Sequence, residues 1–278
     1  MLIFVFYYDI FWIERDDKMF KLVKQNKFAS MMISIALVAS LGSAATLVSG
    51  DENNDKIENY YTEMAQNYEV SDNPIYDDKY IPKYDFEELQ ALYPDLIGYL
   101  EGDLLPSPLP VMKDDISNPY YMDRLPDGST GSSVFAQADD LGKPNSVSIL
   151  GGHNLDSVLG NLDQYQNEEN FNKPLYLHTK DTVYELDLAD VRKATELSSG
   201  LMNDKLMSEY GDFVRNNSIV DTTVDIKPGD SVVNIFCCVR GTWGAVTPER
   251  MVFDFVAKDM YKQTNYNNDQ KQDSSLKM

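Results

Sequence analysis

The stretch Ser231-Val-Val-Asn-Ile-Phe-Cys-Cys-Val-Arg240 joins an apolar, β-branched run to the only two cysteines of this 278-residue chain. A second run, Arg250-Met-Val-Phe-Asp-Phe-Val-Ala257, opens with an arginine and alternates apolar residues with others. Both patterns predict β-strands, joined by a loop over residues 241–249. We therefore expect a thiol at the end of one strand to lie across a loop from a guanidinium at the start of the next.

One of the two histidines lies far upstream, in Leu150-Gly-Gly-His-Asn154. The glycines end a predicted strand over residues 146–150 and allow a tight turn before His153. A cysteine, a histidine and an arginine that are remote in sequence but meet on a β scaffold are typical of a site with a thiol nucleophile. In such a site the imidazole exchanges protons, and the arginine, which cannot act as a base, stabilises negative charge on oxygen.

These motifs resemble those of class B sortases. The segment Asn234-Ile-Phe-Cys-Cys238 is similar to the sortase motif Thr-Leu-X-Thr-Cys, and Gly152-His-Asn154 to the Gly-His-Asn of class B. Arg250 stands where the family keeps its arginine, and Tyr93-Pro-Asp-Leu-Ile-Gly-Tyr-Leu100 resembles the opening Asn-Pro-Asp-Val-Val-Gly-Trp-Ile. The similarity covers about residues 86–258 and follows the family order throughout.

The resemblance implies a mainly β fold, a closed eight-stranded sortase-type barrel with additional helices. Many short strands bounded by turn signals point to a barrel independently. By resemblance, Cys238 is the nucleophile, His153 the acid and base, and Arg250 the residue that stabilises the oxyanion or holds substrate. Asn118 and Tyr121 match a family block near the substrate groove, and are expected to bind substrate.

Two residues compete with this assignment. Cys237 precedes Cys238, and because adjacent side chains of a strand point to opposite faces, only one thiol can face His153. The motif favours Cys238 and leaves Cys237 as a small core residue. Arg240 competes with Arg250 but has no apolar strand after it. Cys237 and Asn234 both stand where the family has threonine, which keeps open an alternative, a barrel that binds a surface protein or wall peptide without turnover.

The N-terminal part predicts a membrane anchor. Residues 1–27 are expected to be cytoplasmic, with Met19 as the natural start and residues 1–18 an upstream misassignment. Residues 28–48 carry no charge and are long enough for one membrane span. Lysines before this segment and acids after it place the N-terminus in the cytoplasm. A cleaved signal peptide is the alternative, since small residues occupy positions 42–45. With either an anchor or a cleaved signal peptide, the rest of the chain is expected outside the cell. With an anchor, the protein is expected to stay attached to the cell membrane.

The rest of the chain divides by composition. Residues 49–82 are polar and acidic and predict a stalk with at most one short helix. The catalytic domain is expected over residues 83–259, with helices near residues 85–92 and 202–216. Leu206, Tyr210, Phe213 and Val214 form the apolar stripe expected of the second helix. Residues 175–179 and 183–186 predict the two strands of a hairpin, and the prolines at positions 106, 108 and 110 predict a bent connection. Residues 260–278 form a polar tail.

The formal net charge of -21 argues against nucleic acid as a partner, because phosphate binding needs a basic face. Two distant histidines and two adjacent cysteines do not form a zinc pattern, so neither metal nor cofactor is expected. The partners implied by the resemblance are secreted proteins with a sorting signal, cleaved after a threonine, and an amine of a cell-wall precursor or a pilin. The sequence leaves wall anchoring and pilus assembly open.

Overall fold

The structure, a computed structural model, describes residues 35–36, 50–71, 80–239 and 249–261. All of them belong to one unit that begins at Ser34, and the unit Met1–Ile33 lies outside the described residues. The described residues form these β-strands: β1 (Ile35–Ala36), β2 (Leu96–Glu101), β3 (Leu109–Lys113), β4 (Val134–Gln137), β5 (Ser146–Gly151), β6 (Leu175–Thr179), β7 (Val183–Ala194), β8 (Glu196–Leu197), β9 (Gly200–Leu201), β10 (Ser231–Cys238) and β11 (Arg250–Asp259).

Eight of these strands close into a barrel in the order β2, β3, β4, β5, β10, β11, β7, β6. The barrel closes because β10 pairs in parallel with β5 as well as antiparallel with β11, and β6 returns to β2. The short strand β9 adds to the outer edge of β5. This arrangement confirms the predicted closed eight-stranded barrel.

The barrel strands separate their side chains by alternation. One core cluster draws residues from all eight strands and therefore fills the interior, with Val233, Ile235 and Cys237 as the contribution of β10. The intervening residues Val232 and Phe236 belong to two other clusters, beneath the helices on the outer face. Because the period of a strand is two residues, this alternation fixes which face each residue of β10 presents.

The predicted stalk is wrong over residues 50–68, which form the helix α1 (Gly50–Tyr68). Ile57 and Tyr61 of this helix belong to the same core cluster as the barrel strands. Ile57, Tyr61, Met64 and Ala65 recur at helical spacing and are all buried. The prediction of a stalk followed the acidic, Asn-rich composition of this segment and overlooked the spacing of its apolar residues. The Tyr61 hydroxyl donates to the Ser132 carbonyl, which ties α1 to the barrel.

Two further helices lie close to their predicted positions. The helix α2 (Phe86–Leu92) begins after Asp85, whose carboxylate accepts from the backbone N–H groups of Glu87 and Glu88. The helix α3 (Asp204–Asn217) packs Met207, Tyr210, Gly211 and Val214 against the barrel.

The apolar stripe predicted for α3 is partly wrong. Leu206 and Phe213 were expected to join Tyr210 and Val214, but Phe213 is 50% exposed. The buried face instead includes Gly211, where a Cβ atom would lie 2.4 Å from the Ile226 carbonyl oxygen. The chain at Ile226 can approach α3 this closely only because residue 211 is a glycine. The spacing of apolar residues along the sequence does not predict such a position.

The predicted membrane segment 28–48 lies outside the described residues except for β1, which pairs antiparallel with β8. Within the described parts of the chain, no helix combines the length and apolarity that crossing a bilayer requires. Residues 262–278 of the predicted tail also lie outside the described residues.

Glu101, at the end of β2, organises a polar cluster on the outside of the barrel. The Lys83 Nζ atom lies 2.9 Å from Glu101 Oε2, and His178 Nε2 lies 3.5 Å from the same oxygen. The Tyr84 hydroxyl donates to Oε1. Burial alone would raise the pKa of Glu101, but the hydrogen bonds from His178, Tyr84 and Lys83 lower that pKa to about 2. The cluster ties the segment before α2 to strands β2 and β6.

We expect Glu101→Gln to lower the free energy of unfolding by about 2 kcal/mol at pH 7, the scale of a hydrogen-bonded, partly buried charge. The pKa is lower in the folded state, so the charge stabilises the fold above the unfolded-state pKa, and this is lost as pH falls towards about 2. The difference in the free energy of unfolding between wild type and Glu101→Gln should therefore decrease below about pH 4.5. Urea unfolding across pH measures it, with exposed Glu169→Gln as the control. A deficit that is unchanged at pH 3 would contradict this account.

Candidate active site

Cys238 and Arg250 lie directly opposite each other in the antiparallel pair of β10 and β11. Directly opposed residues of such a pair project from the same face, so the thiol and the guanidinium are neighbours. Arg250 is 7% exposed and its Nη1 donates to the Glu249 carbonyl oxygen at 3.2 Å. The strand patterns predicted this juxtaposition.

His153 reaches the same place through the parallel pair of β5 and β10. Gly151 lies opposite Phe236, and the Gly152 N–H donates to the Phe236 carbonyl oxygen at 3.2 Å. Parallel strands advance together, so the residue that follows Gly152 arrives beside Cys238. A Cβ atom at position 151 would lie 2.4 Å from the Phe236 ring, which explains the glycine there.

The structure places Cys238, and not Cys237, beside His153. Cys237 is fully buried in the barrel interior, whereas Cys238 is partly exposed on the opposite face. The His153 ring and the Cys238 side chain lie close enough to shift each other's pKa. The competing Arg240 lies outside the described residues.

The thiol and the imidazole shift each other's ionisation. The hydrogen bond with His153 lowers the pKa of Cys238 against the opposing effect of burial, and the charge of Arg250 adds to the lowering. Burial alone would lower the pKa of His153, but hydrogen bonds with Asp123 and Cys238 raise that pKa to about 9. Both shifts favour the charged forms, a thiolate beside an imidazolium, and the thiolate is the reactive form of a cysteine nucleophile.

Two residues at the site had no predicted role. Asp123 Oδ1 lies 3.0 Å from His153 Nε2, and Asn154 Nδ2 donates to the Cys238 carbonyl oxygen at 2.7 Å. Asn154 stands in the Gly-His-Asn motif, so its position was visible in the sequence. Asp123 belongs to none of the motifs that resemble those of sortases. The only sequence signal for it is its position two residues after Tyr121.

The two predicted substrate-binding residues differ in their surroundings. Tyr121 is 8% exposed and its hydroxyl donates to Asp95 Oδ2 at 2.8 Å. It begins the 3₁₀ turn Tyr121–Asp123, so it helps to position Asp123. Asn118 is exposed in the preceding loop. Substrate binding by either residue stays a prediction.

Among the described residues, no group of three or more histidine, cysteine or acidic side chains is arranged to hold a metal ion. The groups that the site brings together are a thiol, an imidazole, a guanidinium and the Asp123 carboxylate.

No protein-family model matches the chain, and no curated protein matches it in sequence. Among solved structures, it is similar to the sortase B of Bacillus anthracis in complex with AAEK1, with a TM-score of 0.60 and 19% identity over 74% of this chain and 98% of that one. A Staphylococcus aureus sortase B–substrate complex matches with a TM-score of 0.59 and 18% identity, covering 76% and 96% of the two chains.

The sortase B of Clostridium perfringens matches with a TM-score of 0.54 and 17% identity, over 63% of this chain and 100% of that one. These proteins share the closed barrel, and almost their whole length is covered. The chain therefore has the fold of the class B sortases.

Proposed function

We propose that this protein is a membrane-anchored, sortase B-type cysteine transpeptidase. It cleaves a sorting motif near the C-terminus of secreted proteins and transfers the acyl group to an amine of the cell wall or of a surface protein. One observation carries the proposal: Cys238, His153 and Arg250 meet at one edge of a sortase-like barrel, with the imidazole and the thiol close enough to shift each other's pKa. Support also comes from the similar fold of a sortase B solved as a substrate complex.

The first half of the reaction would form a thioester. The Cys238 thiolate attacks the carbonyl carbon of the motif threonine, and negative charge develops on the carbonyl oxygen. Arg250 lies opposite Cys238 and is placed to stabilise that oxygen. The His153 imidazolium then donates its proton to the departing amine, the C–N bond breaks, and the downstream peptide leaves.

The second half would return the enzyme to its starting state. The acceptor amine attacks the thioester carbon while the neutral His153 imidazole takes its proton. The C–S bond breaks, the Cys238 thiolate is restored, and the imidazolium lies beside it again. A thioester suits this sequence because it waits for a second substrate.

The location belongs to the same proposal. An uncharged segment over residues 28–48, preceded by lysines and followed by acids, would hold the enzyme at the membrane with its barrel outside the cell. The membrane would then keep the site close to secreted proteins and to wall precursors.

Fluorogenic peptides that span several sorting motifs test the function with the full-length protein, with and without an amine acceptor. We expect cleavage of one motif and, with the amine present, a ligated product. Binding of a peptide without cleavage would instead favour the non-catalytic alternative, a barrel that holds a surface protein or wall peptide.

A further inference from the structure

We infer that Asp123 is a positioning residue, which orients the His153 imidazole towards Cys238 and holds it in the protonated form that the leaving amine requires. This inference rests on the proposed function for its catalytic consequence. The contact itself, 3.0 Å between Asp123 Oδ1 and His153 Nε2, is independent of any substrate.

The turn that carries Asp123 is fixed on both sides. The Asp123 carbonyl oxygen accepts from the Gly131 N–H at 3.2 Å, and the Tyr121 carbonyl oxygen accepts from the Ser133 N–H at 3.0 Å. The Tyr121 backbone N–H donates to Asp114 Oδ2 at 2.8 Å. Because these hydrogen bonds fix the backbone of the turn, they also fix the position of the Asp123 carboxylate relative to His153.

The contact also selects one nitrogen of the imidazole. A ring with Nε2–H directed at a carboxylate leaves Nδ1 to exchange a proton with the thiol and the substrate. A carboxylate next to the ring stabilises the imidazolium, and the sequence of proton transfers begins with that form.

Four charged or titratable groups act on this proton. Asp123 and Cys238 contact His153 directly. Arg124 acts on Asp123, and Arg250 acts on Cys238. The hydrogen bond with His153 lowers the pKa of Asp123, so the carboxylate stays charged across the working pH range. Among these groups, Asp123 is the one whose removal leaves the reacting thiol and both arginines in place.

The Asp123 side chain is 66% exposed, and solvent screens its charge. We therefore expect a moderate effect, with kcat lowered about tenfold at pH 8 in Asp123→Asn and KM almost unchanged. The pKa of His153 is raised in the folded protein, so removing Asp123 lowers it and moves the alkaline limb of activity to lower pH. The ratio of wild-type to variant activity should thus grow from pH 6 to pH 8.

The experiment compares Asp123→Asn and Asp123→Glu with Asp139→Asn in the full-length protein. Asp139 is a matched control, because its side chain is 67% exposed and paired with Lys113 at the other end of the barrel. Profiles of kcat and KM against pH use the cleaved peptide. NMR titration of the two histidines, assigned with His153→Ala, follows the imidazole without any substrate.

We expect the His153 titration near pH 9 in wild type and in Asp139→Asn, a lower value in Asp123→Asn, and partial recovery in Asp123→Glu. An unchanged His153 titration and an unchanged alkaline limb in Asp123→Asn would overturn the inference. If wild type cleaves no peptide, the proposed function fails, while the titration still shows whether Asp123 holds His153 in its protonated form. A titration that moves in Asp123→Asn without any change in kcat would show a contact with no positioning role, and would also overturn the inference.

Discussion

Replacing Cys238 by alanine is expected to abolish peptide cleavage and amine transfer, with a loss of more than about 10³-fold, as for other nucleophiles of this kind. The neighbouring change Cys237→Ala should retain most of the activity. The two variants remove the same atom from adjacent positions, so they differ only in the face of β10 that loses its thiol.

The structure gives each expected result its reason. Cys238 lies beside His153 and opposite Arg250, so its loss removes the group that forms the thioester. Cys237 is buried in the barrel interior, and its loss leaves a small cavity that costs about 1 kcal/mol of folding free energy. Steady-state assays and urea unfolding of both variants separate the two effects. Loss of activity in Cys237→Ala, with Cys238→Ala active, would contradict the assigned register.

Replacing Arg192 by methionine is expected to lower the free energy of unfolding by about 3–5 kcal/mol, the scale found when a buried ion pair loses one partner. Arg192 is 3% exposed and lies between Asp190 and Asp254, both fully buried. Its Nη1 lies 2.5 Å from Asp190 Oδ2 and also contacts Asp254 Oδ2. Methionine fills much of the volume but leaves two carboxylates without their cation.

Arg215→Met is the matched control for that prediction. The Arg215 side chain is 61% exposed and paired with Asp225, so its loss should cost no more than about 1 kcal/mol. Urea unfolding at pH 7 measures both variants. Equal losses in Arg192→Met and Arg215→Met would show that burial of the charge network does not stabilise the barrel.

The same network explains a residue that departs from the sortase motif. Asn234 stands where the family has threonine, and its Nδ2 donates to Asp254 Oδ1 at 3.0 Å, beside the Tyr210 hydroxyl on the same oxygen at 2.7 Å. Position 234 therefore pairs with a buried carboxylate beneath α3. The sequence could not reveal this, because the partner lies on another strand and becomes a neighbour only after folding.

Strand predictions succeeded where the apolar pattern was plain. The strand Leu175–Thr179 was predicted with its observed bounds, and β10 ends at Cys238, with the thiol at the strand end as expected. The strand β7 was predicted only to Leu186 but continues to Ala194, because the charges at its far end are paired rather than solvated. The strand β3 was missed because Pro110, opposite Tyr99, reads as a bend.

The residues of the candidate site also differ in whether the sequence could predict their positions. Cys238 and Arg250 were predictable because a strand register brings neighbouring strand ends together, and His153 because it follows two glycines at the end of a strand. Asp123 was not predictable, since its contact with His153 joins residues 30 positions apart through a turn held by tertiary hydrogen bonds. Patterns along the chain predict which strands pair, but not which loop side chain meets which ring.

The most direct test of the central claim is intact-mass spectrometry of the protein quenched in acid during turnover of a cleaved peptide, followed by mapping of the modified residue. The account predicts a mass increase equal to the peptide fragment that ends at the motif threonine, attached to Cys238 and released by an added amine. Turnover without any adduct, or an adduct on Cys237, would contradict it.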